Sequence, residues 1–215
     1  MKEQIDTASR ILDAAESLFA ERGFSETSLR SITTRAGVNL AAVNYHFGTK
    51  TELIQAVFER FLTPFCRKLN KELDNLMVEY QEGPPLEALF AVLARTMLTG
   101  VQESSDYNKL SIFMRLLGTA YTQSQSHLRR FLRDHYDATY KRVVVMIHHT
   151  TPHVSPNELF WRIHFAVGAA VFTMGSIETL RAMAKNDTHQ DNTIEDVMHK
   201  MVPFLANALV EDRDF

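Results

Sequence analysis

Apolar positions recur every three or four residues along nearly the whole chain, and no stretch alternates as a strand would. Ala8, Ile11, Leu12, Ala15, Leu18 and Phe19 form one face of a first helix, which ends at Gly23. Leu29, Ile32 and Ala36 mark the buried side of a second helix, capped by Thr27 or Ser28. Gly37 then supplies the positive φ that a tight turn requires. Asn39 caps a short third helix. Val43 and Phe47, four residues apart, face inward with Val38. Ala41, Asn44 and Tyr45 project outward, flanked by Leu40 and His46. Thr49 and Glu52 have the spacing of a capping box, which opens a fourth helix through Leu53, Val57 and Phe61. That helix is expected to kink at Pro64 and to continue past Leu69, Leu73 and Leu76 toward Gln81.

Gly83-Pro84-Pro85 is the clearest break. Beyond it the pattern predicts helices over about 86–102, 107–123, 126–149, 157–185 and 193–210, with TTPHVSP and NDTHQDN as loops. The expected fold is all-α with about nine helices. Residues 1–50 form a three-helix helix-turn-helix domain, and residues 51–215 form a helical ligand-binding and dimerisation bundle.

Composition narrows this picture. A hydrophobic fraction of 45% with a net charge of −3 describes a globular chain, so any basic footprint must be local. From Arg22 to Lys50 the charges are Arg22, Arg30, Arg35 and Lys50 against Glu26 alone, an excess suited to phosphate. Cys66 is the only cysteine, which excludes an intrachain disulfide and fits a reducing compartment. The start MKEQIDTASRIL carries charges where a secretory signal is apolar, and the apolar run Phe165 to Ile177 is shorter than a membrane span. A cytoplasmic protein without membrane association is the expectation.

Two short helices joined by a Gly turn suit placing the second in the major groove of DNA. Ala41 lets the backbone approach the groove floor, and Asn44 can donate and accept at an adenine edge. Tyr45, His46 and Lys50 lie where they would meet phosphates, as do Arg35 and the helix start at Thr27 and Ser28. Asn39 and Leu40 complete the expected interface with double-stranded DNA.

The stretch ILDAAESLFAERGFSETSLRSITTRAGVNLAAVNYHFGTKTELI resembles the DNA-binding domain of the TetR family of bacterial repressors. Ala36-Gly37-Val38, Tyr45-His46-Phe47 and Lys50 are among its anchors. The resemblance implies a homodimer with a ligand pocket in the C-terminal part of each subunit. Most members carry a tyrosine where this chain has Asn44, so base readout is favoured there. The segments LSIFMRLLGTAYTQSQSHLRRFL, ELFWRIHFAVGAA and MVPFLANAL resemble fatty-acid-responsive members of that family. They imply a long-chain fatty acid or acyl-CoA as effector and fatty-acid degradation genes as targets.

An acyl chain needs an apolar tunnel with one polar end. Candidate walls are Phe61, Phe65, Leu93, Met97, Phe113, Met114, Leu117, Tyr121, Phe165 and Phe172, although such stripes equally suit plain core. Arg115 and Arg162, each inside an apolar run, are candidates for holding the head group. The helix from Leu159 to about Ile177 is apolar nearly all round. Gly168 and Gly175 on it, with Val197, Met201 and Leu205 on the last helix, are the expected dimerisation residues. No Ser/His/Asp constellation, phosphate loop or paired carboxylates argue for an enzyme, and His148, His149 and His153 lack partners at metal-ligand spacing. No cofactor or metal is expected. A regulator of another hydrophobic ligand, or a helical lipid carrier, stands as the alternative.

Overall fold

The computed structural model describes residues 6–102, 108–123 and 125–210. Its elements are helical: α1 (Thr7–Glu26), α2 (Leu29–Ala36), α3 (Leu40–Phe47), α4 (Lys50–Glu79), α5 (Leu86–Gln102), α6 (Asn108–Thr122), α7 (Ser126–Thr150), α8 (Pro156–Gly175), α9 (Ile177–Thr188) and α10 (Ile194–Val210). The expected start of α6 at Tyr107 lies outside the described residues. A single helix over 157–185 is not what forms. The chain breaks at Ser176, whose φ of −113° and ψ of 18° leave the helix, and α9 departs from α8 at 77°. Among the described residues no single helix is long and apolar enough to cross a membrane.

The helices group into two compact units. The first comprises 1–63 and 112–135, the second 64–111 and 136–215. In the first, the apolar face of α1 meets Ile32 of α2, Val43 of α3, and Leu53, Val57 and Phe58 of α4; Phe113 and Leu116 of α6 join the same core. Phe19, Phe24 and Phe58 pack as tilted and edge-on rings, geometries that aromatic quadrupoles favour. In the second, Leu69, Leu73 and Leu76 of α4 pack with Leu86 and Leu89 of α5, Ile147 of α7, Leu159 of α8 and Leu209 of α10. Cys66 is half-buried, and burial pushes its thiol above its usual range, so it behaves as a small core side chain.

Two contacts of the first unit were not read from the sequence. Gly23 leaves the helical region inside α1, at φ 80° and ψ 172°, a conformation almost confined to glycine. The space its absent side chain leaves is taken by the amide of Gln123, whose Oε1 accepts the Phe24 N–H at 3.1 Å. Gln123, just past the end of α6, thus supplies the partner that the broken α1 ladder denies to Phe24. The second contact is made by Arg10, whose guanidinium donates to the Ala36 and Gly37 carbonyls and satisfies the end of α2.

Capping boxes open α4 and α10. The Glu52 carboxylate accepts the Thr49 N–H and hydroxyl at 2.8 and 2.7 Å. Asp196 does the same with Thr193, at 2.8 Å for both bonds. Those bonds hold both carboxyls below their usual range, the backbone bond leading for Asp196 and the Thr49 hydroxyl for Glu52. A depressed folded-state value means that the stabilisation is present above the unfolded-state value and is lost as pH falls through the folded one.

Gly23→Ala is expected to cost about 1–3 kcal/mol in urea unfolding, since a side chain there is strained and displaces Gln123. Asp196→Asn is expected to lower the urea midpoint at neutral pH. The gap to wild type should close as pH drops below about 4; a gap independent of pH would contradict the capping role.

Candidate nucleic-acid interface

The surface of the three-helix unit is built from a short helix held by one deep anchor. Helix α3 has eight residues, too few to persist alone in water. Its Val43 is fully buried, and Phe47 is half-buried against the same core. Both ends are satisfied by the chain itself: Asn39 Oδ1 accepts the Ala42 N–H at 2.9 Å, and the Gly48 N–H donates to the Asn44 carbonyl at 3.0 Å. Before it, Gly37 adopts φ 63° and ψ 41°, the left-handed conformation that lets α2 stop and α3 start at a steep angle.

With Val43 inward, Leu40, Ala41, Asn44, Tyr45 and His46 are exposed, Tyr45 at 85%. The rings of Tyr45 and His46 meet edge-on at 5.1 Å. Among the described residues no hydrogen bond to the fold engages any of these five side chains. Ser28 is exposed, and its Oγ caps α2 by accepting the Ser31 N–H at 3.0 Å. Arg35 forks onto Glu21 at 2.7 and 3.2 Å. That bond holds the Glu21 carboxyl below its usual range and raises the guanidinium further. An exposed pair of this kind is screened by solvent and holds its partners weakly, so a phosphate can compete for Arg35. Lys50 is half-buried with Nζ 3.5 Å from the Ser25 carbonyl, and burial lowers its ammonium pKa, opposed by Glu26.

Thr27 is a correction. It is fully buried, and its hydroxyl donates to the Leu18 and Gly23 carbonyls at 3.1 and 2.8 Å. It ties the α1–α2 corner from inside and presents no side chain to a ligand. Sequence reasoning also left out part of a basic cleft of about 460 Å³ beside α2, lined by Arg22, Ser28, Arg30, Ser31, Thr34 and Arg35. Arg22 and Arg30 have no ion-pair partner among the described residues. The local charge excess pointed to this region; only the fold shows that these residues share one concavity.

The effector candidates scatter. Phe61, Phe113, Met114, Arg115, Leu117 and Tyr121 belong to the first unit, and Phe65, Leu93, Met97, Arg162, Phe165 and Phe172 to the second. Phe61 and Phe113 stack on each other at 3.7 Å between ring centres, as core. Met114 is buried, Leu117 packs on that core, and Phe65 and Leu93 pack on the other; Met97 is half-buried. Tyr121, Phe165 and Phe172 are exposed rather than interior, because their helices turn those faces outward. Arg115 is exposed as well, so its charge inside an apolar run is simply solvated. Arg162 joins Glu158 at 2.8 Å and donates to the Leu209 carbonyl at 3.1 Å, holding the end of α10. None of these side chains lines the clefts beside α2, between α4 and α5, or between α5 and α10.

Of the dimerisation candidates, Gly168 is exposed with open space around it. Gly175 ends α8, and its carbonyl accepts the Ser111 hydroxyl at 3.2 Å. Val197 and Met201 are half-buried. Leu205 is buried within its own chain, since the inner face of α10 is formed by Met198, Val202, Leu205 and Leu209.

Residues 11–57 match the model of bacterial regulatory proteins of the tetR family, and residues 89–208 match the tetracyclin repressor-like C-terminal domain. The repressor Rv3405c of Mycobacterium tuberculosis is 41% identical over 95 residues, which cover 44% of this chain and 48% of that protein. The regulator AcrR of Shigella flexneri is 32% identical over 105 residues, covering 47% and 45%. The matched stretch thus spans about half the length of these curated relatives. A HlyIIR mutant protein of known crystal structure superimposes with a TM-score of 0.63 at 20% identity, covering 99% of this chain and 100% of that one. At that identity the likeness speaks for the fold.

Asn44→Ala is expected to remove about 1–3 kcal/mol of discrimination at one base pair while affinity for random DNA changes little. Competition binding on a selected site against random duplex checks this. Equal losses on both would make Asn44 a phosphate contact.

Proposed function

The chain belongs to the TetR family of bacterial regulatory proteins, and we propose that it is a ligand-responsive transcriptional repressor. Two copies bind a palindromic operator, each laying α3 in a major groove. The observation that carries this reading is the eight-residue α3. It buries Val43 and turns Ala41, Asn44, Tyr45 and His46 to solvent beside a basic cleft. Ala41 and Asn44 read base edges. Ser28, Arg35, Tyr45, His46 and Lys50 grip phosphates, joined by Arg22 and Arg30 of the cleft.

A row of exposed apolar side chains on α8 supports the dimer. Trp161, Phe165 and Phe172 are 51%, 67% and 64% exposed, with Gly168 between the last two. Their spacing of four, three and four residues makes one seam along the helix, continued in kind by Phe204 on α10. Bulk of this kind on a seam calls for a partner, and two-fold pairing sets α3 and its mate about 34 Å apart, one turn of DNA.

The effector in this proposal is a long-chain fatty acid or its CoA thioester, whose binding releases the operator of fatty-acid degradation genes. That part rests on the likeness of the segments around 110–132, 158–170 and 201–209 to PsrA, a fatty-acid-responsive regulator of the same family.

Fluorescence anisotropy on a selected palindrome, titrated with free fatty acids and acyl-CoAs of several chain lengths, tests the whole. Release by one long-chain class and not by short acids is expected; indifference to all of them removes the fatty effector while leaving the repressor. Phe165→Glu is expected to sediment as a monomer with unchanged helicity and to lose specific operator binding. A dimer persisting in that variant would place the interface elsewhere.

A further inference from the structure

The cleft between α5 and α10 has no role in the reading above. It encloses about 390 Å³, within the range of small-molecule pockets. Ala91, Ala94 and Leu98 of α5 line it together with Met198 and Val202 of α10, giving it apolar walls. Its polar side chains are Glu87, Glu195, Arg95 and His199. Glu87 in the first turn of α5 and Glu195 in the first turn of α10 both border it. Pro203 lies inside α10 and has no N–H, so the His199 carbonyl one turn earlier lacks its helical donor. Both residues line the cleft. The cation there is engaged, since Arg95 Nη2 donates to Glu72 Oε2 at 2.7 Å.

At 100° per residue, Glu195, His199 and Pro203 fall on one flank of α10, and Val197, Met201 and Phe204 on the other. Pairing through the second flank therefore leaves the cleft open.

We propose that this cleft binds a small apolar molecule carrying a protonated amine. The hydrocarbon lies over Ala91, Ala94 and Met198, and the ammonium donates to the Glu87 carboxylate and the His199 carbonyl. An ammonium has three donors and no acceptor, the complement of the Glu87 carboxylate and the His199 carbonyl, whereas a carboxylate would face Glu87. The ligand is thus opposite in charge to the fatty effector, and the site is separate from it.

Calorimetric titration of the full chain without DNA, using octylammonium, octanol and octanoate, tests this. Saturable binding of one octylammonium per chain is expected, with octanol about tenfold weaker. Glu87→Gln should weaken octylammonium about tenfold and leave octanol unchanged. Ala94→Phe should abolish both by filling the cleft. Octanoate bound at an effector site would be untouched by either variant, which separates this proposal from the fatty-acid reading. Absence of saturable octylammonium binding overturns the proposal, and so does binding that is indifferent to the exposed and structurally mild Glu87→Gln.

Discussion

Burial of Val43 is the constraint on which the interface depends. An eight-residue helix forms at most a few internal hydrogen bonds, and the entropy of ordering it exceeds what they contribute. Helix α3 stands because one fully buried valine and the half-buried Phe47 key it into the core of α1, α2 and α4. That single inward direction fixes every outward one. With Val43 at the bottom, Ala41, Asn44 and Tyr45 must point to solvent, so the reading surface is a by-product of the core.

The same unit separates polar groups that hold the fold from those free to act. Asn39, Ser28, Thr27, Arg10 and Gln123 are each occupied by a backbone group that would otherwise lack a partner. Asn44 and His46 have no such duty, and Arg35 is held only by an exposed ion pair. The proposed DNA contacts are concentrated in the second group. The Gly23–Gln123 fit shows how closely the two are joined. The Phe24 N–H, at the corner leading into α2, is satisfied by Gln123 just past α6, so the seat of α2 and α3 is completed by a residue 99 positions away in sequence.

Legibility followed from the range of the interactions. Most of the helices, the Gly37 turn, the Asn39 cap and the Thr49–Glu52 box were readable, because their causes lie within four residues of one another. Long-range partners were not. Thr27 looks like a cap in sequence, yet its hydroxyl is turned inward to Leu18 and Gly23. Nothing near Gln123 points to Gly23. Apolar periodicity says that a face is covered, not by what. For this reason Phe165 and Phe172 read as cavity walls but lie on an outer seam, and Leu205 read as an interface residue but closes its own chain's core. The break at Ser176 went unread although Gly175 beside it disfavours a helix, because the apolar periodicity runs on across it.

The seam and the reading helix answer each other energetically. In the proposed complex one α3 offers Asn44 as its hydrogen-bonding reader with Ala41 beside it, and a good base contact supplies about 1–3 kcal/mol of discrimination. A single copy therefore distinguishes very few base pairs, too few to select a site against a genome of competitors. Doubling the reader requires a partner surface strong enough to fix the spacing. The exposed rings of Trp161, Phe165 and Phe172 are apolar area of the kind that yields about 25 cal/mol per Å² when covered. In the dimer proposed above, the large aromatics of α8 would compensate for a reading helix too short and too sparsely armed to work alone.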